Sequence, residues 1–229
     1  MQTDAFGWLK FELREYLRLY DAGLKKRTNE HLKSTVSKFK SEFSQTQRDC
    51  ALGELCREIL DENKSELKNL KNRGNGELPF ELGELVGEYL KGRCYAGEMP
   101  HLRWAYQICT RGLRELDRNE LLCRAYRHKR CDARTVELYF YMLLDALDWG
   151  AHHFPEGCLI ERSYYEQLTR EARDVMQKHE ISARLNLGFE YFVKLYEYYF
   201  EFKSRGGEVD FYELREKAGL NFAPAKSFY

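Results

Sequence analysis

Apolar residues recur at three- and four-residue spacing along most of the chain, and this predicts an all-α fold. Two further observations agree. Only four of the 229 residues are proline, and Leu, Glu, Lys, Arg and Tyr are abundant, most of them good helix formers. Almost nothing alternates with period two, so strands are not expected. The expected architecture is a set of antiparallel helical hairpins, either a repeat-like array on the scale of TPR or HEAT repeats or an irregular bundle.

Each element has its own signal. Asp4 is a candidate N-cap for a helix over 4–23, in which Phe6, Leu9, Leu13, Tyr16, Leu17 and Tyr20 share a face and Gly23 is the stop. A second helix is expected over 28–44, with Leu32, Val36, Phe39 and Phe43 on one side. The third, over 46–62, uses Leu52, Leu55, Cys56, Ile59 and Leu60. The texture then changes to the polar run Asp61–Gly76, closing on Gly74-Asn75-Gly76, whose only helical signals are Leu67 and Leu70.

Helices resume at Pro79, which suits a first turn, and run to about Gly92. Pro100 opens another, and Asp117 caps a short one through Leu121, Leu122 and Ala125. Asp132 caps a long helix through Val136, Tyr139, Phe140, Leu143, Leu147 and Trp149. Helices over 161–179 and 182–204 follow, ended by Gly206-Gly207, and a last one spans about 209–218 before the tail NFAPAKSFY. These signals divide the chain into an N-terminal helical subdomain (1–60), a polar linker (61–77), a helical-hairpin domain (78–205) and a C-terminal helix and tail (206–229). Pairs of helices open near 80, 118 and 161, a spacing that suits stacked hairpins.

Composition bounds the function. An apolar fraction of 43% beside a charged fraction of 32% marks a globular protein rather than a disordered one. The 37 basic and 37 acidic residues cancel, so no global field draws the chain to a polyanion or a membrane. Seven cysteines with no C-x-x-C pair read as reduced thiols inside helices. No run of residues approaches a membrane span, and a cytoplasmic location is the expectation. No phosphate loop, nucleophile elbow or dinucleotide fingerprint is present, and no cofactor is expected. Cys123, His128, Cys131, His152, His153 and Cys158 do not have the spacing of a zinc site, so no metal is expected either.

Three features are left as candidates. The first is Phe189–Phe202, FEYFVKLYEYYFEF, eight of whose fourteen residues are aromatic. As a helix it has one face, Phe189, Phe192, Tyr196, Tyr199 and Phe200, that reads as core. A second face, Tyr191, Leu195, Tyr198 and Phe202, either packs on the C-terminal segment (Phe211, Tyr212, Phe222) or floors a groove. Tyr191, Tyr198 and Phe202 are therefore candidate binding residues, since tyrosine and phenylalanine suit protein interfaces. The second is charge clustering over Arg111–Arg134 and Lys25–Lys40, with Arg124, Arg127 and Arg130 as candidate contacts to phosphate or carboxylate. The third is Arg173 with His179, a spacing that resembles the R-x(4–6)-H motif of HEPN-type ribonucleases. That resemblance covers seven residues and implies charge stabilisation by arginine and acid–base chemistry by histidine.

The expectation is a non-enzymatic module that binds another protein. A nucleic-acid-binding or RNA-cleaving helical protein is the alternative, and a homo-oligomer that uses its own aromatic face is a third class.

Overall fold

A computed structural model describes residues 4–62, 64–72, 77–108, 113–206, 210–217 and 219. Among these the protein is all-helical, with no β-strand. The expected Gly74–Gly76 turn, Cys109, Arg111, Gly207 and the tail with Phe222 lie outside the described residues. The described helices fall into two compact units, residues 1–130 and 131–229.

The first unit opens with α1 (Ala5–Asp21), α2 (Lys25–Glu42) and α3 (Gln45–Leu60). Asp4 caps α1 as expected, its carboxylate accepting from the Phe6 and Gly7 amides. Gly23, at φ 73°, takes the left-handed turn into α2. That helix starts three residues before Thr28. Thr28 is itself buried, and its hydroxyl donates to the Leu24 carbonyl. Ser44 and Gln47 form a capping box that fixes the start of α3. The polar run after it is structured in part: a 3-10 turn at Glu66–Lys68 and the short α4 (Asn69–Asn72) bury Leu67 and Leu70 completely.

The unit continues with α5 (Phe80–Tyr95), α6 (His101–Gln107) and α7 (Arg118–Arg127), the last capped by Asp117 as expected. Helix α5 packs on α2 and α3, and α6 on α3, α5 and α7. The segment 61–77 thus lies inside one unit, between helices that share a core. That core is mainly aliphatic, built from Leu9, Leu13, Leu32, Leu52, Leu55, Leu82, Val86 and Leu90 with Phe39. Beside it, Arg103 is only 3% exposed and donates through both terminal nitrogens to Asp61, at 2.6 and 3.1 Å. The Trp104 indole donates to the same carboxylate at 2.9 Å. This network ties the end of α3 to α6.

The second unit comprises α8 (Ala133–Gly150), α9 (Arg162–Lys178), α10 (Ala183–Ser204) and α11 (Phe211–Lys217). Asp132 caps α8 through the Thr135 amide and hydroxyl. Helices α9 and α10 pack on α8, and α11 on α10. The helix pair expected to open near 118, α7 with α8, is divided by the boundary at 130/131. Rings fill the second core: Tyr139, Phe140, Phe189 and Tyr196 are fully buried, Phe154 stacks on Tyr199 at 3.9 Å, and Tyr165 stacks on Tyr196 at 4.5 Å. The Tyr196 hydroxyl donates to the Leu147 carbonyl at 2.9 Å. It passes so close to Gly150 that a methyl there would overlap it, and would also lie 2.7 Å from Ile160.

Candidate interaction surfaces

Helix α10 separates its two aromatic faces largely as its sequence predicts. Phe189, Phe192, Tyr196 and Tyr199 are buried. Phe200, expected with them, is instead half-exposed, and the Arg162 guanidinium lies over its ring at 5.0 Å. On the second face, Leu195 is buried, while Tyr191, Tyr198 and Phe202 are half-buried. The C-terminal helix covers one end of this face. Phe211, 2% exposed, packs its ring 5.5 Å from Phe202 and 6.2 Å from Phe154.

The other end is open. Leu187, one turn before Tyr191 on the same stripe, is 67% exposed. Tyr191 lies within electrostatic reach of Arg215 on α11 and Asp148 on α8, and partial burial pushes its hydroxyl above the ordinary tyrosine value. Leu187 does not stand out as a binding residue in the sequence, because an isolated leucine at a helix start reads as core and only packing leaves it uncovered.

Two members of the arginine cluster are taken up by the fold. Arg124 donates to the Cys94 carbonyl at 2.9 Å, serving the C-terminal end of α5. Arg118 donates to the Tyr106 carbonyl at 2.6 Å and lies over that ring at 5.2 Å. Arg127 and Arg130 are exposed. Of the nuclease-like pair, Arg173 is exposed with its guanidinium 5.9 Å from the Phe189 ring centroid. His179 terminates α9 in extended backbone conformation, half-buried, with its amide on the Val175 carbonyl.

The first unit also holds two adjoining hollows of about 480 and 460 Å³ that share Asp49, Tyr89 and Arg93. In the second hollow the Tyr89 hydroxyl and His101 Nε2 are 2.9 Å apart. Burial pushes Tyr89 up to about 12 and lowers His101 below its ordinary 6.5, against the opposing pull of Glu98. Both groups are thereby kept neutral, and a tyrosinate nucleophile is disfavoured. Arg93 pairs with Glu98 at 3.2 Å and with Asp49 at 3.4 Å. The hollow's charges are matched among themselves.

Burial also raises the thiols of Cys94, to about 11, and Cys56. Neither is a thiolate at neutral pH. Among the described residues no three His, Cys, Asp or Glu side chains gather as metal ligands would, and no helix is long and apolar enough to cross a membrane. No protein-family model matches this chain, and neither a curated protein nor a solved structure matches it significantly.

Proposed function

We propose that this protein is a non-enzymatic helical binding module whose second unit docks a partner protein on the stripe of α10 formed by Leu187, Tyr191 and Tyr198. The observation that carries the reading is the exposure of Leu187 one turn before the half-buried Tyr191, with the half-buried Tyr198 further along the same stripe of α10. Large apolar side chains gathered at one place on a surface, with tyrosines that offer a hydroxyl as well as a ring, are what protein interfaces use as anchors. Tyr198 and Leu187 lie on one line of α10, so a partner helix or strand laid along that line would meet both.

A photo-crosslinking residue placed at Leu187 tests the reading directly. In host cells it should yield a discrete adduct that is lost in the Tyr191→Ala background, while a probe at the exposed Phe11 of the first unit yields none. Tyr198→Ala should weaken the same adduct and leave the melting temperature nearly unchanged. The absence of any Leu187-specific adduct, or a large loss of stability in Tyr198→Ala, would overturn it.

A further inference from the structure

The charge on α2 is not taken up as Arg118 and Arg124 of α7 are. Lys25, Lys26, Arg27, Lys33, Lys38 and Lys40 are all exposed on this helix, against Glu30 and Glu42. Lys26 approaches Glu30 only to 4.0 Å, and Lys40 reaches Glu88 of α5 at 3.3 Å. Among the described residues no ion pair or hydrogen bond engages the side chains of Lys25, Arg27, Lys33 or Lys38. Glu15 of α1 senses Arg27 only through the field. Lys26, Lys33 and Lys40 recur every seven residues, so they run in a row roughly 20 Å long by the helical rise of about 1.5 Å per residue.

The first turn of α2 also goes against the helix dipole. It places Lys25, Lys26 and Arg27 at the positive end, with no acidic residue in that turn and no side-chain cap. This placement costs local helix stability, and among the described residues only the distant Glu30 and the field of Glu15 offset it. Departures of this kind concentrate where a chain serves a partner.

From this we infer that the solvent face of α2 binds the phosphate backbone of nucleic acid without reading its sequence. Three classes of anionic partner compete for such a face, and its composition separates them. A protein interface would need several buried aromatic or arginine anchors, whereas this face carries a single arginine, Arg27, among lysines interleaved with Asn29, Ser34, Ser37 and Ser41. A membrane surface would need apolar side chains to enter the headgroup region, and the apolar residues within α2 point into the core. Ammonium groups with hydroxyl and amide donors between them match phosphodiester oxygens, and counterion release drives such contacts even on a protein of zero net charge. The inference concerns the first unit and stands apart from the α10 patch.

Fluorescence anisotropy with a short labelled duplex and a single strand of mixed sequence tests it, over a salt series. At low salt the full chain should bind at least one of the two, with an affinity that falls steeply as salt rises. The triple reversal Lys26→Glu, Lys33→Glu, Lys38→Glu should weaken binding by more than about tenfold. It should also lower the salt slope by about 3, one for each phosphate that is no longer neutralised. Arg127→Glu with Arg130→Glu should leave binding within about twofold. If the triple reversal perturbs folding by circular dichroism, the Lys→Gln series makes the same comparison. Failure to bind either nucleic acid would overturn the inference. So would equal affinity for polyglutamate or for phosphatidylserine vesicles, and so would binding that the triple variant leaves intact.

Discussion

The two units solve the same packing problem with different side chains. The first fills its interior with leucines and stitches its helices with a buried Arg103–Asp61–Trp104 network. The second fills its interior with rings and places the tyrosine hydroxyls on internal partners, Tyr196 on the Leu147 carbonyl and Tyr139 on the Glu171 carboxylate. Leucine packs many ways, so an aliphatic core tolerates adjustment and takes its specificity from a few polar contacts. Stacked rings have a fixed shape and leave little room for error, which is why the second unit depends on a glycine where α8 meets Tyr196.

Substitutions aimed at this contrast differ in expected size. Gly150→Ala is the largest: the added methyl meets Ile160 and the hydroxyl of Tyr196, whose ring is held by its stack on Tyr165. A loss of about 3 kcal/mol or more is expected. Hydrogen exchange should show it as deprotection within 131–206 while 1–130 keeps its protection. Uniform loss in both units would end the view that each has its own core.

Arg103→Ala comes next. It leaves Asp61 with the Trp104 indole N–H but without its guanidinium, at a cost of about 2–3 kcal/mol, reduced because Asp61 is a quarter exposed. The deprotection should fall in the first unit. A loss below about 0.5 kcal/mol would mean that its leucine core holds α3 and α6 together unaided.

The smallest effect is on pH dependence. Burial lowers His101 in the folded state, so the unfolded chain binds its proton first as pH falls. The contribution of His101 is therefore complete above about pH 6.5 and declines as pH drops below that value. Melting temperatures of the protein and of His101→Gln, compared from about pH 7.5 to about pH 5, should converge toward the acid end. A constant gap would show that the Tyr89–His101 contact does not require neutral imidazole.

Most of the secondary structure is legible in the sequence, because caps and apolar spacing are local properties. Asp4, Asp117 and Asp132 each accept the amides that their positions imply, and Gly23 makes its turn. Where a local signal is absent the boundary moves: α2 begins at Lys25 without a side-chain cap, since the turn at Gly23 and the burial of Thr28 set its start. The candidate residues are legible only by type. Arg124 looks like a free cation in sequence, yet it completes the end of α5 through a carbonyl thirty residues earlier. Phe200 looks like core, and it does meet Tyr165, Tyr196 and Tyr199, yet it stays half-exposed with Arg162 of α9 over its ring.

The all-helical character, the start of most helices and the face of α10 that enters a core are all written locally in the chain, since each follows from periods of a few residues. Other features arise only when the helices pack. These are the division at 130/131, the burial of Leu67 and Leu70 in a run that reads as linker, and the covering of Phe202 by Phe211 while Leu187 stays open. They depend on which helices meet. That choice is made by shape and volume across long separations, and no local pattern records it.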